Sequence, residues 1–513
     1  MSESLKLVLG LLAASMSALG YGLLAARFTR AQSTPPPPNL GACGAIGVAI
    51  LTAIFLLANF FVALQHTVNV VILLPGVIAF VFFFERRFLI DLPIVALLVW
   101  WAFQLSRSYA VSWDHGLYHL QSAVWNTLQP AIPGIANLHT RLGFNSSVFV
   151  FAAGLEIPRL GGWHLALVSP VLIEAMILTD LLLSIRSSKQ KVAAMYCFIA
   201  VVFLLFTPRW LIAPSYLSPD PVNALGIVYT IFLFLEKRNT VLLLFVPYLI
   251  TVKLAALPLL LLLDWKESLR KYRAATIVGA AFLLLWVGRN VVLSGHLLFP
   301  VTETGLPVSW AVPDDLTRDT AAWITSWARE PGKAPKDTQG FEWFRGWLNR
   351  TYANDAARTA FDLFCVGIVL LVWARALRRI DWRLASALVV ALLFWFVSAP
   401  DPRFGIGFLL AIAFLMLSYG LDSTGLLRLE AGNTGIVILI LIAGLAKTAS
   451  AERLLDWPRM MPPKLRLVIT LTGDRIWAPV PPEDRCWAAV PCAPAGEFIR
   501  YYPGRAREMA PKP

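Results

Sequence analysis

Apolar runs long enough to cross a hydrocarbon layer recur along almost the whole of this chain, and no other feature narrows its fold so much. A helix rises about 1.5 Å per residue, so about 20 apolar residues cross a layer about 30 Å thick. Such runs occupy residues 5–26, 41–64, 68–84, 89–106, 161–184, 192–207, 221–236, 274–294, 357–374, 382–398, 402–420 and 432–449. Lipid offers the peptide group no hydrogen-bond partner, so the spans must be helices. Composition agrees, since 58% of the 513 residues are hydrophobic and only 15% charged, against about 25% charged in a soluble domain. The first run follows Lys6 in the manner of a secretory signal, but its length and the spans that follow it predict a helix that stays. The chain reads as an all-α polytopic membrane protein of about 12–14 transmembrane helices.

Charge assigns the sides. A net charge of +13 would point to nucleic acid in a soluble protein. Here the basic residues lie in short clusters between spans, at 85–87, 186–191, 236–238, 266–273 and 375–383. That is the positive-inside pattern of cytoplasmic loops, and no nucleic-acid partner is expected. Loops 107–160, 208–220, 295–356 and 398–405, and the tail from about 450, then face outward. The chain divides into N-terminal helices (1–106), an outward loop with interfacial helices (107–160), further helices (161–294), a Trp-rich outward loop (295–356), C-terminal helices (357–449) and a small extracytoplasmic tail (450–513). Segment 239–264 has basic flanks at both ends. It is either a re-entrant hairpin bent near Pro247 to Lys253, holding Lys253 at depth, or an ordinary span. Trp310, Trp323, Trp327, Trp343 and Trp347 suit interface packing. Cys43, Cys197 and Cys365 fall in apolar runs and read as small core residues. Cys486 and Cys492, in "EDRCWAAVPCAP", would close a small disulfide loop and so place the tail in an oxidising compartment.

Polar side chains concentrate in "SWDHGLYHLQSAVWNTLQPAIPGIANLHTRLGFNSS", residues 112–147. A helix over 112–128, ending before Pro130, sets Asp114, Tyr118, Gln121 and Trp125 on one stripe and His115, His119, Ser122 and Asn126 on the next. Leu117, Leu120, Val124 and Leu128 form an apolar side that would rest on the membrane. An interfacial connector with hydrogen-bonded side chains would explain any one of these residues. Four of the six histidines, His115, His119, His139 and His164, fall in this region beside one carboxylate, and together they point to a site. Asp114 fits a general base toward an acceptor hydroxyl. Alternatively His115 and His119, spaced i to i+4, hold a divalent metal with Asp114 or His139 as a further ligand. An anionic leaving group needs cations, and Arg289, Arg403, Arg209, Arg141 and Lys253 supply them. The planar fork of arginine suits phosphate.

That stretch, together with "YLSPDP", "TVKLAALP", "GRNVVLSGHLLFP", "PDPRF" and "DRCWAAVPCAP", resembles an uncharacterised family of bacterial multi-spanning membrane proteins, from about residue 89 onward. Its layout in turn resembles the GT-C superfamily of polyprenyl-phosphate-dependent glycosyltransferases. The resemblance implies that Asp114 occupies the catalytic acidic position, and that Lys253 is similar to a hairpin lysine lying near the lipid phosphate. Two features depart from that pattern: about three spans precede the acidic loop, and Asp114 is followed by His115 rather than by a second acid.

The expectation is therefore a GT-C-like glycosyltransferase of the bacterial inner membrane, its site facing the periplasm or exterior. It would move a sugar from a polyprenyl-phosphate donor to a glycan, lipid or protein acceptor of the cell envelope, with no cofactor other than the divalent metal just weighed. Asp114 is the base, and Arg289, Arg403 and Lys253 hold the departing phosphate. His115, Tyr118, His119 and Gln121 orient substrate, while Asn137, His139, Arg141 and Asn145 line the cavity. Rival readings are a transporter or lipid flippase using Lys253 and Arg289 as a path, and a metal-dependent membrane hydrolase.

Overall fold

The computed structural model describes residues 2–30, 38–106, 114–188, 190–206, 217–375, 377–424, 465–469, 475–480, 485–486 and 492–493. Within them the chain is a bundle of helices. The N-terminal group is α1 (Glu3–Arg30), α2 (Leu40–Asn59), α3 (His66–Phe83) and α4 (Leu92–Ser106). Two short helices follow, α5 (Leu120–Leu128) and α6 (Ser147–Gly154). The middle group is α7 (Trp163–Leu167), α8 (Ser169–Ser187), α9 (Lys191–Phe206), α10 (Pro219–Leu235) and α11 (Asn239–Val252). Next come α12 (Trp265–Lys271), α13 (Arg273–Ser294), α14 (Asp314–Arg329) and α15 (Trp343–Ala353). The bundle closes with α16 (Asp355–Trp373), α17 (Trp382–Ser398) and α18 (Pro402–Thr424).

Five of these helices, α1, α2, α3, α13 and α18, are long and apolar enough to cross a membrane. Helices α9, α10, α11 and α17 are apolar but shorter. Val71, Val81 and Phe82 on α3, Val369 on α16 and Val397 on α17 are all exposed, which suits a hydrocarbon surrounding and not water. The fold is that of a polytopic helical membrane protein. The run at 161–184 divides into α7 and α8, with Pro170 in the first turn of α8, a position that needs no N–H. The run at 432–449 lies outside the described residues. In 239–264 the chain breaks at Lys253, whose backbone is extended between α11 and a tight 3₁₀ turn, Leu254–Leu262. Pro247 stays inside α11.

Helices α1 and α2 touch backbone to backbone. A methyl group on Gly47 would lie 1.6 Å from the Ala18 carbonyl oxygen, and one on Gly22 would lie 1.8 Å from that of Cys43. Hydrocarbon is no poorer a solvent for Leu than the protein interior is, so helix pairing in lipid relies on close approach at small residues. The tail adds an element outside the all-α expectation. Strands β1 (Leu465–Ile469) and β2 (Arg475–Pro479) pair antiparallel, Leu467 opposite Trp477, and Trp477 bridges in turn to Cys492. Cys486 and Cys492 form a disulfide.

Candidate functional site

The stretch around Asp114 is helical to Leu128 and stops before Pro130, because Gln129 is extended. Its first turn is wider than an α-turn. The Leu120 N–H bonds the His115 carbonyl, five residues back, a local widening often found at functional sites. It rotates the stripes read from the sequence, so that Asp114 is electrostatically coupled to His119. Half of the apolar side expected to rest on the membrane turns inward instead, while Leu128 stays exposed. Leu120 and Val124 are fully buried in the protein core, as are His115 and Gln121.

Asp114 meets two arginines. Its Oδ2 accepts from Arg403 Nη1 at 3.0 Å, and its Oδ1 lies 3.7 Å from Arg141 Nη1. The ion pairs continue: Arg403 Nε lies 4.0 Å from Asp220 and 3.9 Å from Asp401, and Lys253 Nζ pairs with Asp220. Three carboxylates and three cations thus meet, charge for charge. Each sits at a helix end or in the loop turn holding Arg141. Asp114, Asp220 and Asp401 lie at the starts of their helices and Lys253 follows the end of α11, the signs that complement the helix dipoles. The Phe404 ring lies 3.4 Å under Lys253 and 4.8 Å under Arg403. Asp114 is 17% exposed and Arg403 and Arg141 are 41% and 36% exposed, so the acid lies deeper than the two arginines that rim it.

Burial pushes the Asp114 carboxyl up, but Arg403, His119 and Arg141 outweigh it and hold it below the usual carboxylate range. Burial, and after it Asp114, raises the Tyr118 hydroxyl well above its ordinary range, so Tyr118 remains a donor. The Tyr118 ring stands edge-on to His119 at 4.4 Å, with Arg141 over its face at 5.7 Å. Burial pushes His115 down to about 3, His139 to about 3 and His119 to about 4, with His119 and Arg141 adding to the first two and Asp114 opposing the shift at His119. All three are neutral imidazoles at pH 7.

Other nominated residues lie elsewhere. Gln121 holds the tail: its Nε2 donates to the Cys486 carbonyl at 3.3 Å and its Oε1 accepts from the Cys492 N–H at 3.0 Å. Asn137 donates to the carbonyls of Gly134 and Trp310. Asn145 Oδ1 accepts from Arg289 Nη1. Arg289 stands apart from the Asp114 cluster, its guanidinium also bonded to Asn126 Oδ1 at 2.6 Å and Asn59 Oδ1 at 3.1 Å. Arg209 lies outside the described residues. Among the described residues no three His, Cys, Asp or Glu side chains converge as metal ligands, so the proposed pair His115 and His119 gains no third ligand from Asp114 or His139.

A protein family described as a domain of unknown function, DUF8201, matches residues 5–410. The chain belongs to the DUF8201 family. No curated protein and no solved structure matches it. The DUF8201 region carries all six members of the charge cluster and the whole Arg289 network, whereas the Gln121 clamp joins that region to a tail beyond it. Sequence reading missed two members of the cluster, Asp220 and Asp401. Both are the middle residue of a Pro-Asp-Pro triplet at a helix start, and that repetition within the DUF8201 region was the available signal. The second triplet is fixed by two tryptophans, of which Trp347 was expected at the interface. Trp347 Nε1 donates to the Pro400 carbonyl, and Trp395 Nε1 donates to that of Asp401 at 2.8 Å.

Proposed function

We propose that the protein is a GT-C-like glycosyltransferase that moves a sugar from a polyprenyl-phosphate carrier to an acceptor hydroxyl in cell-envelope synthesis. On this reading it spans the bacterial inner membrane about 12–14 times, with its site at the outer face, where a lipid-linked donor presents its head group. The observation that carries it is the ionised Asp114 on the floor of a rim formed by Arg403 and Arg141, with Lys253 one ion pair away.

The acceptor O–H gives its proton to Asp114 while its oxygen bonds the anomeric carbon. The bond from that carbon to the phosphate oxygen breaks, and the electron pair leaves with the phosphate. Arg403, Arg141 and Lys253 then face the departing charge. In the free protein Arg403 is already engaged by Asp114 and Asp220. An arriving phosphate therefore competes for Arg403, and as it succeeds the Asp114 carboxyl rises toward its ordinary range and becomes a better base. Neutral His119 and the Tyr118 hydroxyl line the acceptor side.

The test is complementation. In cells lacking the chain, Asp114→Asn should restore the protein to the membrane but not the transfer of labelled sugar to envelope glycan. General base catalysis contributes typically 10²- to 10⁴-fold, and the rate should fall by about that factor. Normal labelling by Asp114→Asn would sink the reading, and normal labelling with lost lipid or substrate movement would favour a transporter.

A further inference from the structure

We propose that Arg289 forms a second, buried oxyanion site, walled off from the Asp114 cluster and taking a phosphate or carboxylate group attached to an apolar body. Arg289 is 3% exposed, and the three side chains that bond it are all neutral amides. Among the described residues it has no carboxylate partner, so the buried positive charge is balanced by dipoles alone, a costly arrangement in low dielectric. The amides are held in that orientation. Asn59 Nδ2 reaches the carbonyls of Asn126 and Gln129, and Asn145 Nδ2 reaches that of Trp286, which turns both amide oxygens toward the guanidinium.

Donors remain without a partner among the described residues. They are Arg289 Nε, Trp125 Nε1 and the Ser122 hydroxyl. All three residues line one small, partly open cavity of about 20 Å³, whose other walls include Ile132, Ile135, Leu142, Phe149 and Leu293. A guanidinium N–H and an indole N–H can only donate. The Asn126 and Asn145 amide oxygens in the lining already serve Arg289, so these donors call for a further acceptor, and beside an uncompensated cation that acceptor is an anion. The space admits a compact charged head alone, so an apolar body joined to that head stays outside the opening.

The wall between the two sites is aromatic. Phe149 lines this cavity, and its ring lies 5.4 Å from that of His119 and 6.1 Å from that of Tyr118. The proposal therefore stands whether or not the Asp114 cluster transfers sugar.

The experiment is a titration of the purified full chain in detergent with inorganic phosphate, with farnesyl phosphate and, as control, with sodium chloride at matched ionic strength. Calorimetry gives the Kd and a thermal melt the stabilisation. Both phosphates should bind and raise the melting temperature. Tighter binding of farnesyl phosphate identifies a lipid head group as the source, and equal binding identifies the free ion. Trp125→Phe keeps the ring and removes one donor to a charged acceptor, so it should weaken binding by about 10-fold or more. Ser122→Ala carries the same test should Trp125→Phe fail to fold. Arg403→Gln strips phosphate affinity from the Asp114 cluster and should leave intact the binding event that Trp125→Phe weakens. Absence of binding, a shift by chloride equal to that by phosphate, or binding lost in Arg403→Gln but kept in both cavity variants would overturn the proposal.

Discussion

Arg403 faces three carboxylates, those of Asp114, Asp220 and Asp401, and it is the nearest counter-charge to Asp114. Replacing it by Gln removes the largest influence that lowers the Asp114 carboxyl. For the proposed sugar transfer, the acidic limb in a pH profile of kcat/KM should therefore move to higher pH, and kcat should fall because a departing phosphate would lose a cation. A profile whose acidic limb stays in place would show that Asp114 does not carry it. Asp114, Arg403 and Lys253 were legible in the sequence because a charged side chain in an apolar chain must face a partner or a cavity. For Gln121, Asn137 and Asn145 the sequence did not distinguish substrate contact from bonding within the protein. A buried amide is needed equally to bind substrate or to satisfy a backbone carbonyl, and residue type does not distinguish the two. Asp220 went unread, and its pairing with Lys253 in the fold marks it.

The α1 and α2 pair shows what a single element tolerates. Gly47→Val would drive a branched side chain into the Ala18 carbonyl oxygen, which is backbone and cannot rotate away. Overpacking of this kind costs typically about 1–3 kcal/mol, so the thermal midpoint of the purified variant should drop by several degrees. An unchanged midpoint would mean that the helices are not in contact there. Hydrophobic run length located most helices to within a few residues, α13 and α17 among them, since lipid leaves little choice. Periodicity was less informative for the helix at Asp114. It marked an apolar face and a polar face, but Leu120 and His115 are both buried in protein, and whether a polar face meets water or another helix depends on elements far away in sequence. The widened first turn was likewise invisible, because no residue type between His115 and His119 demands it. β1 and β2 went unseen in a tail read only for its cysteines.

Acid should loosen the molecule as a whole. In the unfolded chain His115, His119 and His139 take up protons near pH 6.5, whereas in the fold burial delays this to about 3, about 4 and about 3. Between those limits the unfolded state binds more protons, so stability falls as the pH drops, by up to about 1.4 kcal/mol per pH unit for each histidine. Melting curves at pH 7, 5.5 and 4.5 should show a steadily falling midpoint, with a shallower slope in His139→Asn, and a midpoint flat across that range would contradict neutral burial. The disulfide loop bears on the molecule differently, through Gln121. The groups that satisfy this fully buried amide lie 365 and 371 residues further along the chain. At about 5–20 residues per second, a ribosome needs roughly 20 to 75 s to supply them. For that interval the nascent protein carries an unfinished seam beside its charged pocket, and the seam closes only once distant Cys486 and Cys492 arrive.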